Sequence, residues 1–269
     1  MTFESFLLLL AGGLLAGTMG SLLGLGGGLI LVPFLTLVMG LPMHQAIATS
    51  IMAVIATSTA GAAMNVQRRI VNVKLGMVLE TTTVAGAIAG GLTATLLSGT
   101  TLARIFGGLM ILVAAFMAWR SRFHSAVPLR GKGVIPGVII DETTGETIEY
   151  SVQRLPAAMV VSLFAGNISG LLGVGGGIFK VPAMHLVCGM PLKAATATSN
   201  FMIGVTAAAS AFIYFAHGHL NPVVASSSCL GVLAGSFLGV WLSTRIQTRA
   251  LTWIFVFILL VVAIQLFSR

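Results

Sequence analysis

Eight apolar blocks, residues 5–40, 45–64, 75–97, 101–118, 156–191, 194–216, 222–244 and 250–268, fill most of this chain, and of its charges only Glu80, Arg104 and Lys180 fall inside them. A hydrocarbon core about 30 Å thick is crossed by roughly 20 apolar residues in helical form. Six blocks have about that length; the first and fifth are much longer. Because the bilayer leaves backbone groups no water to bond, spans of this length must be helices. The chain is 57% hydrophobic and 7% charged, against about 25% charged in soluble domains. A soluble fold is thereby excluded, and the fold class is an all-α polytopic membrane protein. The net charge of +8 sits in the connections, where it reports topology rather than nucleic-acid binding. No positive charge precedes Phe3-Glu4-Ser5, so the start reads as mature protein rather than a leader.

Set against itself at an offset of 149 residues, the chain matches at 17 of 34 positions over 17–50. Gly17-Thr-Met-Gly-Ser-Leu-Leu-Gly-Leu-Gly-Gly-Gly28 returns as Gly166-Asn-Ile-Ser-Gly-Leu-Leu-Gly-Val-Gly-Gly-Gly177. Val32-Pro33, Gly40, Pro42 and Ala48-Thr-Ser50 return as Val181-Pro182, Gly189, Pro191 and Ala197-Thr-Ser199. Such self-similarity predicts two homologous halves, each a glycine-broken segment followed by three further transmembrane helices. The expected units are 1–119, a first membrane repeat, 120–155, a cytoplasmic connection, and 156–269, a second membrane repeat.

Charge decides between parallel and inverted halves. If each broken block enters and leaves on one side, one face holds Arg68, Arg69, Lys74, Arg120, Arg122, Arg130, Lys132, Arg154, Lys193, Arg245 and Arg249, and the other holds Arg104 and Arg269: eleven against two. A single crossing per broken block gives nine against four. The positive-inside rule favours the inverted arrangement, with both termini on the periplasmic side of a cell inner membrane.

Glycine runs at 24–28 and 173–177 are poor helix interiors, each glycine costing close to about 1 kcal/mol. Inside a membrane the broken backbone must face protein or a wet cavity. Proline at 33 and 182 either starts or kinks the helix that follows. The pattern fits the discontinuous helices of secondary transporters, whose exposed amides can hold an anion; close helix packing is the competing explanation of the same glycines. Candidate substrate-binding residues are therefore Gly26, Gly27, Gly28, Gly175, Gly176 and Gly177, with the duplicated hydroxyl pairs Thr49-Ser50 and Thr198-Ser199 and the amide of Asn200. Lys180, where the first half has Leu31, stays charged only beside water, an acid or a bound anion. Its candidate acidic partner is Glu80, which is also the candidate proton-coupling residue. Thr57, Ser58, Thr59 and Thr196 add hydroxyls that more commonly bond helix carbonyls, and His44 and His185 suit packing roles.

Cys188 and Cys229 have no metal-ligand spacing, and no nucleotide-binding, HExxH or nucleophile–base pattern occurs. No cofactor, no metal and no enzymatic activity are expected. Between the halves, Val134–Ile140 and Thr147–Val152 flank Asp-Glu-Thr-Thr-Gly-Glu at 141–146 and predict a small β-hairpin.

The paired motifs, Gly17 to Gly28 with Val32-Pro33 and Ala48-Thr-Ser50, and Gly166 to Gly177 with Val181-Pro182 and Ala197-Thr-Ser-Asn200, resemble the two signatures of the sulfite exporter TauE/SafE family over nearly the whole chain. The resemblance implies movement of sulfite, sulfonates or other small organic anions across the inner membrane; the 120–155 connection is longer than the linker it leads one to expect. The resulting expectation is a secondary transporter for a small inorganic or organic anion, with an anion channel and a membrane enzyme or assembly factor as alternatives. Membrane lipids are the surrounding partners, proton coupling suits a chain without a nucleotide-binding motif, and a homo-oligomer is the remaining partner class. Substrate identity, direction and coupling ion are not legible in the sequence.

Overall fold

The computed structural model describes residues 3–23, 26–120, 133–140, 147–243 and 248–267. Its helices are α1 (Phe3–Leu23), α2 (Gly28–Pro33), α3 (Met43–Gln67), α4 (Val73–Leu96), α5 (Gly99–Arg120), α6 (Leu155–Leu172), α7 (Gly177–Pro182), α8 (Leu192–Ala216), α9 (Pro222–Ser243) and α10 (Thr248–Phe267). Among the described residues, seven helices are long and apolar enough to cross a membrane. The fold is an all-α polytopic membrane protein. The order of elements in the first part recurs 149 residues later, with Gly28–Pro33 matching Gly177–Pro182 and Met43–Gln67 matching Leu192–Ala216.

Each long broken block becomes a full-length helix and a half-length one. α1 has 21 residues, about 31 Å of helix, whereas Gly28–Val38 reaches only about 16 Å. Proline kinks rather than begins the short helix. Past Pro33 the backbone opens into one π-helical turn, Phe34–Val38, closed by Met39 N donating to Phe34 O at 3.2 Å; Ala183–Val187 does the same past Pro182. A proline removes one i→i−4 bond, and the wider turn restores pairing beyond it. At the following bend Gly40 and Gly189 hold φ of +67° and +71°, and Pro42 and Pro191 stand immediately before α3 and α8.

Helix directions follow from which residues meet. Gly231 packs on Leu10, Gly235 on Leu14 and Gly239 on Thr18, so α1 and α9 run parallel. Gly86 packs on Leu163, Gly166 on Thr83 and Gly170 on Ala87, so α4 and α6 run parallel. At these contacts an added Cβ would strike the neighbouring backbone, which is the close approach glycine permits between membrane helices. α3 and α8 are antiparallel, Ser58 lying beside Gly204 and Asn200 beside Gly61. α2 turns back along α1, with Gly27 against Ala16 O and Phe34 against Gly12. α1 and α6 hence run in opposite directions, and residues 3–38 come back toward the end from which α1 starts.

One end of the molecule gathers Arg68, Arg69, Lys74, Arg154 and Lys193 at the termini of α3, α4, α6 and α8. Arg122, Arg130, Lys132, Arg245 and Arg269 of the charge count lie outside the described residues. On this basic end sits the hairpin. β1 (Ile135–Ile140) pairs antiparallel with β2 (Thr147–Val152), from Ile135 opposite Val152 to Ile140 opposite Thr147. The first strand starts one residue later than the composition suggests, and the 141–146 turn lies outside the described residues. Ile139, Tyr150 and Val152 are buried with Leu75, Val181, Met184 and Cys188 in a small core separate from the main one. The main core centres on α2, α3, α5 and α10.

A buried ion pair and a glycine-lined cavity

The two glycine breaks meet. A Cβ on Gly28 would lie 2.5 Å from Gly173 O and 3.2 Å from Val174 Cα, so the start of α2 abuts the end of α6. Gly26 and Gly27 have φ of +75° and +76°, and Gly173, Gly175 and Gly176 have +70°, +81° and +69°. Side chains are disfavoured there by about 1–2 kcal/mol each. The glycines thus fall into two groups. Those at 17, 86, 90, 166, 170, 235 and 239 allow close packing, while those of the breaks reverse the chain.

Buried backbone at a break needs a partner, and at Gly173 a serine of α3 provides it. Ser50 Oγ donates to Gly173 O at 2.8 Å. Thr198 Oγ1 accepts from Asn72 N at 3.0 Å, and Asn72 Oδ1 in turn caps α4 by accepting from Leu75 N at 3.1 Å. Thr49 Oγ1 and Ser199 Oγ are fully buried without a hydrogen-bond partner among the described residues. Of these hydroxyl residues, Ser50 thus bonds a glycine break directly.

Lys180 on α7 and Glu80 on α4 are brought together, with Thr206 of α8 between them. Lys180 Nζ donates to Thr206 Oγ1 at 2.8 Å, and Thr206 Oγ1 donates to Glu80 Oε1 at 2.6 Å. Nζ lies 3.8 Å from Glu80 Oε2, a fully buried oxygen with no hydrogen bond of its own among the described residues. Lys180 is 1% exposed and Glu80 7%. The lysine therefore reaches neither end of the membrane; it is neutralised in place. Shifted by the offset, these three positions become Leu31, Thr57 and Cys229. Leu31 is buried in the main core, and Cys229 is partly buried against the same core. The offset thus pairs the charged triad with two apolar residues and a threonine.

Thr57 borders the other feature of the site, a cavity of about 100 Å³ lined by Gly17, Gly20, Ser21, Gly26, Thr57, Ser58, Gly61, Asn200, Ile203 and Ser236. Its walls come from the later parts of α1, α3 and α9, all of which run toward the basic end, so the cavity lies nearer that end. No wall residue is charged. Its donors are an amide and hydroxyls, the composition that orients a small polar solute. Of the candidate residues, Gly26 and Asn200 line this cavity. Gly27, Gly28 and Gly175–Gly177 shape the breaks, and Thr49, Ser50, Thr198 and Ser199 stand in the buried packing around them.

Thr206 escaped sequence reading although it is the bridge of the triad; its signal was there, since it is the offset mate of Thr57. Ser21 and Ser236 also escaped, because their 2.8 Å hydrogen bond joins helices far apart in the chain. His44 Nε2 lies 3.1 Å from both Ala94 O and Leu97 O, and its ring stacks on His219 at 4.8 Å. His185 Nδ1 lies 2.7 Å from Met190 O.

The family model described as sulfite exporter TauE/SafE matches residues 9–266. The chain belongs to this family. It is 31% identical over 269 residues to a probable membrane transporter protein, YunE, of Bacillus subtilis, covering 97% of each chain. A probable membrane transporter protein of Xylella fastidiosa (strain 9a5c) is 27% identical, with 99% of this chain and 96% of the relative covered. One from Haemophilus influenzae is 26% identical over 99% of this chain and 100% of its own length. No solved structure matches the chain with significance. The protein is a multi-pass membrane transporter and not an enzyme.

Proposed function

We propose that this chain is a secondary transporter that moves a small anion such as sulfite, a sulfonate or a small organic acid across the cell inner membrane, coupled to protons through Glu80. The observation that carries the proposal is the buried Lys180–Thr206–Glu80 triad beside two abutting helix breaks. With Glu80 ionised, the charge of Lys180 is spent on it. A proton placed on the unpartnered Oε2 would neutralise Glu80 and leave Lys180 in want of an anion, since an uncompensated buried charge is strongly disfavoured. Proton and anion are thereby linked. Asn200, Thr57, Ser58 and the serines of the cavity wall would receive the anion by hydrogen bonds, with the glycine breaks and the Thr-Ser pairs holding the frame.

The opposed directions of α1 and α6, the return of α2 along α1 and the charges at the hairpin end all support two inverted halves, with that end cytoplasmic, the termini periplasmic and 120–155 as the cytoplasmic connection. Alternating access would then exchange the cavity near the basic end for an equivalent one at the other. In the test, purified protein is titrated with sulfite, sulfoacetate and a small carboxylate at pH 5.5 and 7.5, with thermal stability as readout. The proposal expects stabilisation by at least one anion that is stronger at the lower pH and becomes pH-independent in Glu80→Gln. Stabilisation that keeps its pH dependence in Glu80→Gln would refute coupling through Glu80.

A further inference from the structure

The hairpin rests on the same helices that carry the triad. Its buried Ile139, Tyr150 and Val152 share one apolar cluster with Leu79, the neighbour of Glu80, with Val181, the neighbour of Lys180, and with Met202, whose carbonyl lies 3.1 Å from Thr206 Oγ1. Two polar ties add to this contact. Asn72 Nδ2 donates to Tyr150 Oη at 3.4 Å while Asn72 also caps α4 and bonds Thr198. Gln153 N donates to Cys188 O at 3.1 Å, where the π turn after α7 ends. At the opposite end of the molecule nothing equivalent among the described residues covers the matching bend. Cys188 and Met190 are 0% exposed, whereas their offset mates Met39 and Leu41 are partly exposed and the intervening Gly40 is exposed.

We propose that the β1–β2 hairpin is a one-sided inner gate, which seats on α4, α7 and α8 while the Lys180–Glu80 pair is closed and lifts when the pair parts. It deepens the transporter proposal and rests on it. The physical link is rigid and short: α4 is fixed at its start by Asn72 beneath Tyr150 and carries Glu80 two turns on, while α7 carries Lys180 and ends under the hairpin. A displacement of α4 from α7 that separates the ions pulls apart the floor on which Ile139, Tyr150 and Val152 are packed. Packed interfaces of this kind change between discrete arrangements instead of stretching.

Cys188 is a built-in reporter, since the hairpin stem covers it and the chain has only one other cysteine. In a Cys229→Ser background, sealed vesicles of known orientation are treated with a membrane-impermeant maleimide from the hairpin side and the rate of Cys188 labelling is measured. The parent should label slowly. Ile139→Asp with Tyr150→Ser, which unseats the hairpin, should raise the rate at least tenfold. Glu80→Gln, which leaves the hairpin intact, should raise it several-fold, and Glu80→Asp should keep it near the parent. No increase in the unseated variant would show that the hairpin does not guard this end. An increase there with none in Glu80→Gln would make the hairpin a static lid and overturn the gate. Neither readout uses a transported solute, so its failure is distinct from a failure of the transport proposal, which flux decides.

Discussion

Removing one member of the Lys180–Glu80 pair should cost far more than removing both. At 3.8 Å and an effective dielectric constant near 20, the attraction of two unit charges is about 4 kcal/mol. Desolvating them offsets much of that, so the pair adds little net stability while intact. Lys180→Leu, however, leaves a buried carboxylate with only the Thr206 hydroxyl, and Glu80→Cys leaves a buried ammonium. Each should destabilise by about 3–5 kcal/mol, or a fall of roughly 6–20 °C in Tm at ~2–4 °C per kcal/mol. The double variant Lys180→Leu/Glu80→Cys installs the residues that the sequence carries at the offset positions, Leu31, which is buried in the main core, and Cys229, which packs against that core. It should recover to within about 1–2 kcal/mol of the parent by the double-mutant-cycle logic. The assay is detergent-solubilised thermal unfolding of all four proteins at pH 7.5 and one scan rate, since irreversible unfolding makes Tm rate-dependent. Additive losses, with the double variant less stable than either single one, would refute the claim that the two charges serve one another.

Glycines of the breaks and of the packing seams should respond differently. Gly26→Ala meets open space and should cost only the left-handed backbone penalty of about 1–2 kcal/mol, whereas Gly17→Ala drives a methyl into Val232 O and should lower Tm more; equal shifts would contradict the division. Thr206→Val should slow counterflow of whichever anion the parent transports much more than Thr57→Val does, at matched protein abundance, because Thr206 bridges an acid and a base and Thr57 does not. Asn200→Leu should abolish stabilisation by whichever anion stabilises the parent in the binding titration while leaving the anion-free Tm within a few degrees; retained stabilisation would remove Asn200 from the site. At the end opposite the hairpin, burial first and the neighbouring His44 and His217 next hold the His219 imidazole below its usual pKa. The unfolded chain then binds this proton more readily, so its contribution falls as pH drops through about 6.5 toward the lowered value and changes little above or below that window. His219→Gln should flatten the dependence of Tm on pH there.

The apolar blocks, the broken segments and the hairpin strands were legible because each is local. Block length against bilayer thickness, glycine against helix propensity, and β-rich runs flanking a turn are readable within a few residues. Partnership across the chain was legible only where choice was narrow. Glu80 could be set against Lys180 because no other acid lies well inside an apolar block. Thr206 could not be singled out, since the helices carry many hydroxyls whose common fate is a bond to a carbonyl one turn back, as in Thr83 to Leu79 at 2.7 Å. The cavity was hidden for the same reason: Ser21, Thr57, Asn200 and Ser236 come from four helices, and nothing local marks them as neighbours. The duplication of the Thr-Ser pairs pointed to ligand contact, whereas the bond of Ser50 to the carbonyl of Gly173, between residues far apart in the chain, had no local signal.

Counterflow in proteoliposomes tests the central claim most directly. Vesicles loaded with unlabelled sulfite, sulfoacetate or a small carboxylate are diluted into a trace of the labelled anion at pH 6, and uptake is followed for the parent and for Glu80→Gln. The account predicts transient accumulation of at least one labelled anion above its equilibrium level in the parent, with the rate responding to pH only when Glu80 is present. Uptake of the labelled anion that the internal anion fails to accelerate, or the same pH response in Glu80→Gln, would contradict a proton-coupled carrier.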